Sequence, residues 1–200
     1  MLNKKSLFIN ILCLYSFSLS CKQFDDEILH TIIKNSIQCS EQYRLPFILK
    51  ELNTIYGTTE HPNFYLFNGG STFGFVGMLY ASCTEYLFIY GSPLANGGHS
   101  GRYLLNIRDF VYRGKVTVTT TKNLEGTTFL PGECTFMEWG TAHHYCLEKN
   151  TWMLEHAVGF TPSALPFLLL GFTATGDVIG LSQIMFAYGK EVTKNLIKFS

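Results

Sequence analysis

Hydrophobic and polar positions follow one another in four textures along this chain. In residues 1–21, Lys4 and Lys5 precede an apolar run from Leu7 to Leu19 that only Asn10, Ser16 and Ser18 interrupt. The run is shorter than the roughly 17–25 residues of a comfortable membrane span, and its basic start and small-residue end suit a secretory signal equally well. It is expected to serve as a membrane anchor or signal-like segment that addresses the chain to the endoplasmic reticulum. Residues 22–58 then read as amphipathic helix. Asp25, Asp26 and Glu27 supply an acidic first turn, and Ile28, Ile32, Ile33 and Ile37 recur at helical spacing. A second helix is predicted from Pro46 to Ile55, stopping at Gly57.

From Phe64 the pattern shortens to β-type runs divided by glycine and asparagine. These are Phe64 to Phe67, Phe73 to Met78, Glu85 to Tyr90, Lys115 to Thr121, Thr127 to Leu130, Cys134 to Trp139, His143 to Leu147 and Thr151 to Val158. Strands this close, with turn chemistry between them, predict a closed or sandwiched antiparallel structure over residues 59–160. Between the two strand groups, Gly98-His99-Ser100-Gly101-Arg102-Tyr103 is followed by a predicted helical segment to Arg113, with Ser100 as N-cap and Gly114 as stop. It would carry Asp109 one turn from Leu105, Tyr112 and Arg113, in reach of an exposed ion pair with Arg113. In residues 161–200, an apolar run from Phe167 to Phe172, a break at Gly176-Asp177 and an amphipathic run from Val178 to Phe199 predict two helices. They are too short to cross a bilayer and are expected to lie in its interface, with packing on the β core as the competing role.

Composition narrows the function classes. Fifteen basic and fifteen acidic residues cancel, and charged residues make up 15% of the chain, below the roughly 25% of soluble domains. That leaves no footprint for nucleic acid. Apolar residues at 46%, with 17 Phe, favour a large hydrophobic pocket or membrane contact. The six cysteines form no Cys-x-x-Cys pair and read as small hydrophobes.

Candidate chemistry is sparse. His143 and His144, near Glu138, Glu148 and His156, invite a metal site, but adjacent strand residues point to opposite faces, so no metal or other cofactor is expected. Nucleophile-elbow and phosphate-loop patterns are absent. The carboxylates are more informative. Glu155 stands alone among apolar neighbours, with Met153 and Ala157 on its strand face, and a buried lone acid costs several kcal/mol, about the penalty of an unpaired ion. Asp109 could converge with it in one apolar cavity, where two acids would share a proton. Glu85 and Glu133 are reserve acids, each with the competing role of fixing backbone amides or a turn.

Several ordered blocks carry a resemblance: Ala81-Ser82-Cys83-Thr84-Glu85-Tyr86, Gly98-His99-Ser100-Gly101-Arg102-Tyr103, Pro131-Gly132-Glu133, Asn150-Thr151-Trp152-Met153-Leu154-Glu155 and Thr193-Lys194-Asn195-Leu196. On these residues the chain resembles the family that unites the C-8 sterol isomerases with the sigma non-opioid intracellular receptors. The sequence has one residue more than the family pattern between Gly70 and Glu85. The resemblance implies an α+β, mainly β fold: a cupin-like β-barrel behind an N-terminal membrane segment and helices, covered by two C-terminal membrane-associated helices. It further implies a homotrimer at the endoplasmic reticulum membrane that works without a metal or cofactor. The family's pocket acids fall on Asp109 and Glu155, and the ligand-binding set expected around them is Glu85, Tyr86, Tyr103, Trp152 and Met153. The activity implied is sterol delta-8 to delta-7 isomerisation by carboxylate proton transfer through a carbocation. The alternative is a non-catalytic receptor-like protein binding sterols or cationic amphiphiles, and a third class is a secreted β-barrel lipid carrier.

Overall fold

The structure, a computed structural model, describes residues 22–198. The expected anchor over residues 1–21 lies outside the described residues. Two helices come first. Helix α1 (Asp26–Ser36) is capped by the Asp25 side chain, which accepts from the Glu27 and Ile28 amides, and it buries Leu29, Ile32 and Ile33. Helix α2 (Glu41–Tyr56) starts before Pro46 rather than at it, so the proline lies inside the helix and removes one backbone donor from it. It ends at Gly57, whose φ of 69° is the left-handed conformation glycine tolerates.

Ten strands follow: β1 (Phe64–Gly69), β2 (Thr72–Ala81), β3 (Glu85–Ser92), β4 (Asn96–His99), β5 (Leu105–Arg113), β6 (Val116–Thr120), β7 (Asn123–Phe129), β8 (Cys134–Met137), β9 (His144–Leu147) and β10 (Thr151–Gly159). They form two antiparallel sheets, β1-β2-β3-β10-β5-β8 and β4-β9-β6-β7. The fold is mainly β as expected, but the ladders make two sheets rather than one continuous barrel. The sheets meet through Val111, Val116, Val118, Tyr145, Leu147 and Met153. The outer face of the larger sheet, with Leu87, Ile89, Phe110, Tyr112 and Leu154, is covered by Leu29, Ile32, Ile33, Ile48, Leu49 and Leu52 of α1 and α2. In β2 the register against β3 shifts between Met78 and Tyr80.

One predicted element is overturned. Residues 105–113 are strand β5, not helix, and Ser100 caps nothing: its hydroxyl donates to Gly101 O and accepts from the His143 amide. Leu105-Asn106-Ile107-Arg108 alternates as a strand does, but Phe110, Val111 and Tyr112 are buried in succession because this part of the strand is covered on both faces, and the two-residue period is lost. The expected Asp109–Arg113 pair therefore does not exist. Arg113 Nε instead meets Glu41 Oε1 at 2.7 Å.

The chain closes with a 3₁₀ turn (Thr161–Ala164), helix α3 (Leu165–Thr175) and helix α4 (Val178–Lys198). Asp177 receives the Gly180 amide at 2.8 Å, as the break at Gly176-Asp177 predicts. Phe172 and Ile184 pack against Val76, while Asn195, buried, donates to Ala81 O at 2.9 Å. Among the described residues no helix is long and apolar enough to cross a membrane. The outward side chains Leu170, Val178, Ile179, Phe186 and Ile197 are nevertheless 70–76% exposed.

Candidate functional site

Strand β10 is the axis of the site because it pairs on both edges. It meets β3 with Glu155 opposite Phe88 and β5 with Glu155 opposite Asp109. Directly opposed residues hold their Cβ atoms about 5 Å apart on the same face, so backbone register alone brings the two acids together. Alternation then sends Met153, Glu155 and Ala157 inward and Trp152, Leu154 and His156 outward.

The inward face borders a cavity of about 1160 Å³, its mouth included, between the two sheets and under α3 and α4. Its walls are mainly apolar, with Val76, Met78, Phe88, Ile107, Met137 and Leu168 among them. Of the expected site residues, Asp109, Glu155, Tyr86, Tyr103 and Met153 line this space. Asp109 is 3% exposed, and its Oδ2 accepts from Tyr145 Oη at 2.6 Å and Thr135 Oγ1 at 2.9 Å. Glu155 accepts from Tyr86 Oη. Tyr103 Oη donates to Ser100 O.

Burial raises the Asp109 carboxyl above the usual range, although the Tyr145 and Thr135 hydrogen bonds favour its ionised form. Glu155 is pushed up to about 8, first by burial and then by the charge of Asp109, against one hydrogen bond from Tyr86. Asp109 has two donors on its carboxylate and Glu155 one. The hydrogen bonds thus favour the ionised form more strongly at Asp109 than at Glu155. Such a pair can give a proton to one atom, take one from a neighbour, and hold a cation between.

Two expected ligand-binding residues are elsewhere. Glu85, 2% exposed, faces away from the cavity, where it accepts from the Gln23 and Phe24 amides and meets His156 Nε2 at 2.8 Å. Trp152 is on the outer face, stacked on Phe75 with centroids 6.5 Å apart. Both are chain neighbours of true lining residues, Tyr86 and Met153, and in a strand such neighbours take opposite faces. Glu133 serves its turn, accepting from the Leu130 amide at 2.7 Å.

The histidines scatter: His144 is exposed, the His143 ring stacks on Tyr145, and His156 sits between Asp26 and Glu85. Thr135 was not singled out from the sequence, although it lies opposite Asp109 in the β5–β8 pair. Tyr145 enters the site from the other sheet, a contact no local pattern announces.

Comparison with known proteins adds five findings. Residues 5–200 match the family described as ERG2 and Sigma1 receptor like protein. An erg2 homolog protein from Dictyostelium discoideum is 37% identical over 180 residues, covering 88% of this chain and 77% of that protein. The C-8 sterol isomerase of Neurospora crassa is 28% identical over 186 residues, covering 88% and 72%, and sigma non-opioid intracellular receptor 1 of Gallus gallus is 37% identical over 128 residues, covering 62% and 56%. Among solved structures, an RmlC-like cupin from Shewanella frigidimarina aligns at a TM-score of 0.43 and 12% identity, covering 50% of this chain and 86% of that one.

Proposed function

Because the chain belongs to the ERG2 and Sigma1 receptor like family, we propose that it is a sterol isomerase that moves a ring double bond from the delta-8 to the delta-7 position. The observation that carries this reading is the Asp109–Glu155 register pair inside an apolar cavity. In the proposed reaction, protonated Glu155 adds its proton to one carbon of the ring double bond and leaves a tertiary carbocation on the other. Ionised Asp109 takes a proton from the adjacent ring carbon, and the new double bond forms from that C–H electron pair. Transfer of the proton from Asp109 back to Glu155 restores the pair, so no electrons are exchanged and no redox cofactor enters the balance. The negative charge of the pair and the faces of Tyr86, Phe88 and Tyr103 stabilise the cation before water can reach it.

The proposal includes a setting at the endoplasmic reticulum membrane and a homotrimeric state, as the family resemblance implies. The exposed apolar side chains of α3 and α4 support contact with a membrane interface. A second reading, a receptor-like protein that holds a cationic amphiphile at the same pair, is supported by the 37% identity to the Gallus gallus receptor. Expression in a cell lacking its own delta-8 isomerase separates the two. Recovery of delta-7 sterol supports the enzyme, and accumulated delta-8 sterol despite good expression overturns it.

A further inference from the structure

Among the described residues the cavity contains one buried hydroxyl without a hydrogen-bond partner. The polar groups on its walls are few, and each has a partner: Tyr86 donates to Glu155, Tyr145 to Asp109, Tyr103 to Ser100 O, and Thr161 both meets Tyr188 at 2.7 Å and donates to Ser82 O. Thr72 donates to Gly69 O at 2.6 Å. Tyr90 also lines the cavity, and its buried hydroxyl meets no hydrogen-bond partner among the described residues. A buried unpaired hydroxyl is costly, and a cavity wall is where a ligand can relieve that cost.

The position of Tyr90 is specific. On β3 the inward residues are Tyr86, Phe88 and Tyr90, set against Ala157, Glu155 and Met153 of β10. Tyr90 thus stands one inward step beyond the level of the acids, roughly 7 Å along the strand. Tyr86, on the other side of the acids, packs with Ala164, Phe167 and Tyr188 of the cover, whereas Tyr90 packs with Val111, Val116, Leu147 and Met153, where the two sheets come together. In a sterol, two fused six-membered rings separate the reacting double bond from the ring alcohol, a span of the same order as that step.

We propose that the Tyr90 hydroxyl is a specificity-determining donor to the ring alcohol of the substrate, so that the sterol enters polar end first and leaves its hydrocarbon tail under α3 and α4. This rests on the sterol reading of the site but not on turnover. Phe88 and Met153 frame the route between the acids and Tyr90 with apolar surface. A ligand lacking an oxygen at that end leaves the phenol unpaired.

The test measures binding to the purified full chain in detergent, using a delta-8 sterol with its free ring hydroxyl and the same sterol with that hydroxyl replaced by hydrogen. Wild-type protein is expected to prefer the alcohol by roughly 2- to 10-fold, the range of one neutral hydrogen bond, and Tyr90→Phe to bind the two alike. Discrimination retained by Tyr90→Phe, or missing in the wild type, overturns the proposal. If Tyr90→Phe does not fold, the corresponding ketone decides the matter on wild-type protein. A ketone accepts a hydrogen bond but donates none, so it should bind closer to the alcohol than to the deoxy sterol; binding like the deoxy sterol sinks the idea. Loss of turnover with intact alcohol preference would strike the isomerase reading alone, and intact turnover without preference would strike Tyr90 alone.

Discussion

Glu155 and His156 are consecutive residues of β10 that face opposite sides of the same sheet. Glu155 looks into the apolar cavity opposite Asp109, while His156, 1% exposed, lies between Asp26 Oδ1 at 2.7 Å and Glu85 Oε1 at 2.8 Å. One strand therefore carries two charge clusters with different tasks. The inner one is matched to proton transfer, and the outer one ties the residues before α1 to the sheet.

Replacing Glu155 with Gln keeps an acceptor for Tyr86 but removes the transferable proton. Isomerisation should fall by at least about 100-fold, the usual contribution of a positioned general acid. Stability should move the other way. A carboxyl raised to about 8 by burial contributes fully below the ordinary value near 4.5, and that contribution is lost as pH rises through about 8. The melting temperature of Glu155→Gln should gain on wild type between pH 5 and pH 9. Parallel melting curves over that range would contradict the assigned environment.

The two tyrosines beside the acids should act on different limbs of the pH–rate profile. The Tyr86 hydrogen bond favours ionised Glu155, so Tyr86→Phe raises that carboxyl further and shifts the alkaline limb upward. The Tyr145 hydrogen bond favours ionised Asp109, so Tyr145→Phe raises Asp109 and shifts the acid limb upward. The measurement is kcat/KM against pH for both variants. If both moved the same limb, the assignment of acid and base would be wrong.

Most of the β-rich architecture was legible in the chain, and the Asp109–Glu155 pairing was expected through the family resemblance, whereas the local pattern put Asp109 on a helix. Strand β5 was not legible, because Leu105-Asn106-Ile107-Arg108 alternates over only four positions before Asp109, Phe110, Val111 and Tyr112 are buried in succession and break the two-residue period. That Glu85 and Trp152 stand off the cavity lining was also legible. Once Tyr86 and Met153 are placed inward, strand parity turns their neighbours outward. The roles of Tyr145 and Asp26 depend on contacts across 36 and 130 residues, which only the tertiary fold supplies.

His156 should act as a pH-dependent tie. Burial disfavours its charge, but the carboxylates of Asp26 and Glu85 outweigh that and raise its pKa. Lys22 and Arg108 flank Asp26 at 2.9 and 3.2 Å, and Phe24 packs edge-on to the imidazole. The stability from this tie is present below the ordinary histidine value near 6.5 and is lost as pH rises through the raised one. His156→Phe should cost on the order of 3 kcal/mol below that window, because Glu85 stays buried without its counter-charge. Hydrogen exchange at the Gln23 and Phe24 amides, which donate to Glu85, should quicken in the same variant. Unchanged protection there would mean that Glu85 alone holds the segment.

Two glycines of the covering helices should respond oppositely to alanine. At Gly171 of α3 a Cβ would lie 2.1 Å from Asn68 O and 2.9 Å from Gly69 Cα, backbone atoms of β1 that cannot swing aside. The contact is reinforced by Asn68 Nδ2 donating to Gly171 O at 3.1 Å. Gly171→Ala must therefore push α3 off β1, carrying Phe167 and Leu168 away from the cavity they line. With water admitted, the burial that raises Glu155 weakens, so sterol affinity should drop about tenfold or more and the alkaline limb of the rate profile should move down. At Gly189 of α4 nothing lies within 4 Å of the added Cβ, and alanine should stabilise the helix by up to about 1 kcal/mol. Melting temperature and sterol binding of the two variants separate a close-packed cover from a loosely resting one. If Gly171→Ala bound sterol as wild type does, α3 would not be what keeps water from the acids.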